Sequence, residues 1–121
     1  MIARQTPPSE IRISKDRRGM TLTWPGEGSS ELPAEYLRVH SPSAEVRGHS
    51  EAERKTQFGK RDVAITNVQP VGNYAIKITF SDGHDTGLYS WVYLAELGRE
   101  KDEKWATYLK ELDEKGLSRD A

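Results

Sequence analysis

Cysteine is missing altogether from this chain of 121 residues. That excludes disulfides and every metal site built on thiolates. It suits a reducing compartment, and the location expected from sequence is the cytoplasm. A surplus of charge is missing too: 18 Lys and Arg stand against 19 Asp and Glu, a formal net charge of −1. A near-neutral chain has no overall field to draw in polyanions. No apolar run reaches the roughly 20 residues of a membrane span, and Met1 to Glu10 holds none long enough for a signal peptide. Neither nucleic acid nor membrane is expected as a partner.

Several catalytic motifs are missing as well. Gly26-Glu27-Gly28 lacks the later glycine and the following helix of a phosphate-binding loop. No serine stands in a Gly-x-Ser-x-Gly elbow, and no Ser/His/Asp triad can be assembled from the spacing. The expectation is a protein that is not an enzyme, with no catalytic residue.

What the chain does have is hydrophobic patterning. Ile11 and Ile13 alternate with Arg12 and Ser14, and Met20, Leu22 and Trp24 with Thr21 and Thr23. The two runs predict a hairpin across the charged turn Lys15 to Gly19. Ser29 to Leu32 predicts a short third strand. Pro33 and Glu35 suit the first turn of a helix running to about Val39, with Tyr36 and Leu37 toward the core. Pro42 ends it. Ser43 to Asp62 is almost wholly polar, a loop that is functional, mobile or partly helical around Glu51 to Lys55.

Strand signals resume at Val63, Ile65 and Val68, and Tyr74, Ile76, Ile78 and Phe80 line one face of the next strand. Asp82-Gly83 predicts a type I′ turn, with a return strand from Asp85 to Tyr89. Ser90 is a candidate N-cap. Trp91, Leu94 and Leu97 share a helical face that Gly98 would stop, and Trp105, Tyr108, Leu109 and Leu112 mark a final amphipathic helix closed by Gly116. The aromatics Trp24, Tyr74, Phe80, Trp91 and Trp105 are expected in the core. The order reads as α+β: an antiparallel β-sheet with a short helix after the N-terminal strands and two C-terminal helices. The expected organisation is a flexible tail over 1–9, a domain over 10–97 and a helical extension over 98–121.

Candidate chemistry concentrates in the polar loop. Arg47, Arg54, Lys55, Lys60 and Arg61 interleave with Glu45, Glu51, Glu53 and Asp62, the pattern of a solvated mixed-charge loop. Phe58 is the lone aromatic there, too little to stack nucleic-acid bases. His49-Ser50-Glu51 has the His-x-Glu spacing of a facial iron triad, with His84 as the second nitrogen. A polar loop in so small a domain is a poor host for that centre. Surface histidines are the plain reading, and a weak or partner-completed metal site the alternative.

Two stretches together resemble a known family. One is Leu37-Arg38-Val39-His40-Ser41-Pro42-Ser43-Ala44-Glu45-Val46-Arg47-Gly48-His49. The other runs from Pro70-Val71-Gly72-Asn73-Tyr74 through Ser81-Asp82-Gly83-His84-Asp85 to Trp91. They resemble the gamma-butyrobetaine hydroxylase-like N-terminal domain, formerly domain of unknown function 971, in its stand-alone bacterial form. The resemblance covers residues 10–97. In eukaryotic hydroxylases such a domain precedes the oxygenase domain and holds a structural zinc with a Cys-Pro-Cys-x-x-Cys segment and a later His. The matching positions here are Ser41, Ser43, Val46 and His84, so the resemblance implies that the zinc site is lost. The same domain is also found fused to Mrp-type P-loop ATPases that carry iron–sulfur clusters, which implies a role near metal handling.

The leading expectation is a small non-catalytic binding module without a cofactor. Its surface would be the loop Ser41 to Arg61 beside the Asp82-Gly83-His84 turn, with Glu45, Arg47, His49, Asp82 and His84 as contacts. A protein partner is expected, and the resemblance implies an iron–sulfur assembly factor. The alternative is a protein that holds iron or zinc through His49 and His84, joined by Glu45, Glu51 or Asp82. A remote third reading is an accessory of a 2-oxoglutarate-type oxygenase. Oligomeric state is left open.

Overall fold

Strict alternation makes the first segment a meander. In the computed structural model, which describes residues 7–43 and 56–120, β1 (Glu10–Ile13), β2 (Gly19–Trp24) and β3 (Gly28–Pro33) pair antiparallel in that order. The register sets Ile11 opposite Leu22 and Leu22 opposite Ser30. Met20, Leu22 and Trp24 therefore all point inward and are buried. Helix α1 (Ala34–Val39) follows directly, with Pro33 as its N-cap residue. A second antiparallel sheet holds β4 (Ile65–Val71), β5 (Ala75–Phe80) and β6 (Leu88–Ser90), again in chain order. Helices α2 (Trp91–Arg99) and α3 (Lys101–Lys115) complete the described residues.

The class is α+β, as the pattern predicts, but the strands divide into two three-stranded sheets rather than one. Their inner faces meet in a single cluster: Met20, Leu22 and Trp24 from the first sheet, Ile76, Ile78 and Phe80 from the second, and Trp91, Leu94 and Leu97 from α2. Among the described residues, no helix is long and apolar enough to cross a membrane.

Four local expectations need correction. Tyr74 lies just before β5 rather than in it, and its side chain is exposed. Its neighbour Ala75, which alternation with Tyr74 and Ile76 puts on the opposite face, is fully buried. Gly98 does not stop α2, which runs to Arg99. A β-carbon there would come within 2.7 Å of Ser30 Oγ, so the glycine serves the packing of α2 on β3. The Asp82-Gly83 turn is not type I′, because only Gly83 takes positive φ (91°). The return strand accordingly starts late, at Leu88 instead of Asp85. Leu109 is exposed at the edge of the α3 stripe, whereas Tyr108 and Leu112 are buried. The helical turn predicted at Glu51 to Lys55 lies outside the described residues.

Three tyrosine hydroxyls lock α1 and its exit in place. Tyr36 donates to the carbonyl of Leu97 (2.7 Å), Tyr89 to that of Leu37 (2.6 Å) and Tyr93 to that of His40 (2.6 Å). The carbonyls of Leu37 and His40 belong to the C-terminal turn of α1, where no helical N–H follows to bond them. Tyr36 and Tyr89 are buried, and burial pushes both phenols far above their ordinary value, so they remain donors. On the other side α3 packs Tyr108 and Leu112 against Val39. Beyond α3, Arg119 grips the buried Glu35 through two hydrogen bonds (2.8 and 2.6 Å) and lies over the Trp105 ring. Glu35 was expected only to favour the helix dipole.

Tyr89→Phe keeps the ring and leaves the Leu37 carbonyl unpaired. It should cost about 1–2 kcal/mol, read as an earlier midpoint in urea with an unchanged slope.

Candidate functional site

Helix α1 ends at Val39, and the chain turns at His40 into Ser41-Pro42-Ser43. The turn after β5 brings Asp82, Gly83 and His84 to the same place. Ser41 Oγ lies 2.8 Å from His84 Nε2 and also accepts the Ser43 N–H at 3.3 Å. Ser41 and Ser43 are both buried. Ser41 thus meets His84 directly, and Ser43 meets Ser41 through its backbone N–H. Val46, Glu45, Arg47, His49 and Glu51 lie outside the described residues, so the pairing of His49 with His84 is not placed.

Asp82 is the centre of this corner. Its Oδ2 accepts from Arg38 Nε (2.8 Å) and from Lys60 Nζ (2.6 Å), and its Oδ1 accepts the His84 N–H (3.1 Å). That last bond supports a turn closed by backbone bonds, Gly83 N–H to the Phe80 carbonyl (2.9 Å) and Phe80 N–H to the His84 carbonyl (2.9 Å), with Gly83 alone at positive φ. Burial works to raise the Asp82 pKa. The Lys60 ammonium, the His84 N–H and the Arg38 guanidinium outweigh it and hold the carboxyl at about 2.

Sequence reading missed four participants. Arg38 is buried within α1 and its side chain is 8% exposed. The signal was a charge between Leu37 and Val39 in a helix buried on all sides. Lys60 was read as part of a solvated loop, yet its side chain is 21% exposed and paired. Tyr89 holds the Leu37 carbonyl beside the site. Gly87 packs so tightly that a β-carbon would lie 2.5 Å from Ser41 Oγ and 3.2 Å from Pro42 Cδ. No pattern in one sequence marks a glycine needed for close approach at ordinary φ.

The residues present do not fit the zinc that the resemblance implies. Two nitrogen or oxygen donors on a tetrahedral zinc stand about 3.3 Å apart. Ser41 Oγ and His84 Nε2 are 2.8 Å apart, bonded to each other. A serine hydroxyl is a weak zinc ligand, and the nearby carboxylate of Asp82 already holds two cations. Among the described residues, no group of three or more His, Asp and Glu side chains is placed to hold a metal ion. A nucleophilic reading fails on geometry too: Ser41 is 1% exposed, and the carboxylate of Asp82 bonds the backbone N–H of His84.

Two outcomes test this corner. Gly87→Ala should destabilise by about 1–3 kcal/mol through overpacking. Ser41→Ala in the same chain should lose less than the sum of the two changes, because it removes the atom that is struck. Asp82 titrates near 2 when folded and near 3.9 when unfolded. Its contribution to stability is therefore full above about pH 4 and lost as pH falls toward 2. Thermal midpoints from pH 5 to 2 should fall less steeply for Asp82→Asn than for the parent.

Comparisons agree with this geometry. Residues 11–95 match the family model described as gamma-butyrobetaine hydroxylase-like, N-terminal. No curated protein matches the chain. A protein solved in solution by NMR is 51% identical, with a TM-score of 0.84 over 96% of this chain and 91% of that one. A second NMR structure is 37% identical, with a TM-score of 0.80 over 98% and 90%. A crystal structure of a protein of unknown function from Acidithiobacillus ferrooxidans, of the DUF971 family, is 38% identical, with a TM-score of 0.64 over 78% and 94%. A family model matched over most of its length shows that the chain belongs to the gamma-butyrobetaine hydroxylase-like N-terminal domain family.

Proposed function

We propose that this domain is a non-catalytic protein-binding module whose contact surface is the segment between Ser41 and Arg61 together with the Asp82-Gly83-His84 turn. The observation that supports it is the clasp at that turn. His84 holds the entry of the segment through Ser41, and Asp82 holds its exit through Lys60. One turn thus fixes both ends of a polar stretch, the arrangement by which a rigid scaffold presents a binding loop. The metal reading is disfavoured because His84 Nε2 is engaged by Ser41 and Asp82 by two cations. The partner class to test first is the one the family resemblance implies, an iron–sulfur assembly factor.

A tagged full-length chain should capture one defined partner that rebinds stoichiometrically when purified. Arg47→Ala, His49→Ala and His84→Ala should each weaken that rebinding at least tenfold. Val92→Ala, a change at an exposed position on α2, should leave it intact. Equal rebinding by all four variants would remove the loop and turn as the surface.

A further inference from the structure

Among the described residues, charges around the clasp pair one to one, with a single exception. Arg119 pairs with Glu35, Arg18 with Asp62 and Arg61 with Asp120. Asp82 alone takes two partners, Arg38 and Lys60. Five cations therefore face four carboxylates, and the uncompensated positive charge sits where both partners are mostly buried (8% and 21% exposed). Coulomb attraction is strongest in such a place because solvent screens it least. Two buried polar atoms in the same corner also lack a hydrogen-bond partner among the described residues: Arg38 Nη1 and Ser43 Oγ. Unpaired buried donors of this kind are costly, more so on a charged group.

A surface cavity of about 250 Å³ opens beside this surplus. Lys60, Arg61 and Arg119 contribute cations to its wall, Ser81 a hydroxyl, and Asp62 and Asp82 the opposing carboxylates. Lys60 Nζ uses one donor on Asp82, and an ammonium carries three.

We infer that this corner is an oxyanion site, in which a carboxylate or phosphate group enters the cavity against Lys60 and neutralises the second cation on Asp82. The charge balance inverts the preference of a metal site: a cation arriving here meets net positive charge, and an anion meets its complement. This inference stands apart from the protein-binding reading. Free phosphate can fill the site in a chain that binds no partner, and a partner can bind the loop without filling it.

The test is an NMR titration of the full chain at constant ionic strength, exchanging sodium chloride for sodium phosphate in one arm and for sodium acetate in the other. Saturable shifts are expected at the amides of Gly59, Lys60, Ser81 and Asp82. Lys60→Met should raise the midpoint at least tenfold while keeping the parent's amide dispersion. Asp82→Asn, which removes the competing carboxylate, should lower it. Saturation by both anions identifies a carboxylate-accepting site, open to an acidic side chain, and saturation by phosphate alone a phosphoryl site. Shifts that fail to saturate with either anion, or a midpoint unchanged in Lys60→Met, would overturn the inference.

Discussion

The carboxylate of Asp82 is the constraint on which this molecule's one polar corner depends. It joins three pieces of chain that are far apart in sequence: α1 through Arg38, the start of the Lys60 to Val63 turn through Lys60, and its own turn through the His84 N–H. Taking a guanidinium out of water is expensive, and a buried arginine persists only with a partner that remains ionised. Asp82 meets that condition over nearly the whole pH range because its pKa is held at about 2. Remove it, and Arg38 is stranded in a helix whose every residue is buried. The turn is braced as well, since the same carboxylate accepts the His84 N–H beside the backbone bonds that close it.

A metal and an ion-pair hub solve the same mechanical problem, which is to cross-link a loop to a turn. Their requirements differ. A zinc cross-link needs deprotonated soft donors and an available ion, and its strength comes from coordination. The hub here needs only side chains the fold already carries. Ser41, bonded to His84, spans the gap that a ligand set would otherwise bridge. The serine hydroxyl fits because Gly87 leaves it room, and nothing larger than hydrogen would do so. Serine at position 41 is thus built into the polar network of this corner, bonded to His84 and to the Ser43 N–H.

Elements with a repeating pattern could be read from sequence. The inward face of β2, the core faces of β5 and α2, and the stripe of α3 all follow from spacing, because burial of alternate or every third to fourth residue is a local property. The corner could be read only in part. Asp82 and His84 were marked by turn chemistry and resemblance. Arg38 and Lys60 were not, because a pairing across 44 or 22 residues leaves no periodic trace. Tyr74 was misplaced for a related reason: the alternation continues one residue beyond the strand, and the pattern cannot tell where pairing stops. The division into two sheets was also invisible, since strands carry no local mark of which neighbour they choose.

The corner and the core are built from different residues. Ser41, Ser43, Lys60, Asp82 and His84 all lie outside the hydrophobic clusters, while Tyr36, Leu37 and Tyr89 belong to the main one. The two meet where the His84 ring lies 6.3 Å from that of Phe80 and where Gly87 packs against Ser41, Pro42 and Tyr89. The main cluster draws on both sheets, α1 and α2. Chains 37% to 51% identical keep this fold, with TM-scores of 0.80 and 0.84. Fold membership accordingly says little about the corner, and its function has to be argued from the charges it holds.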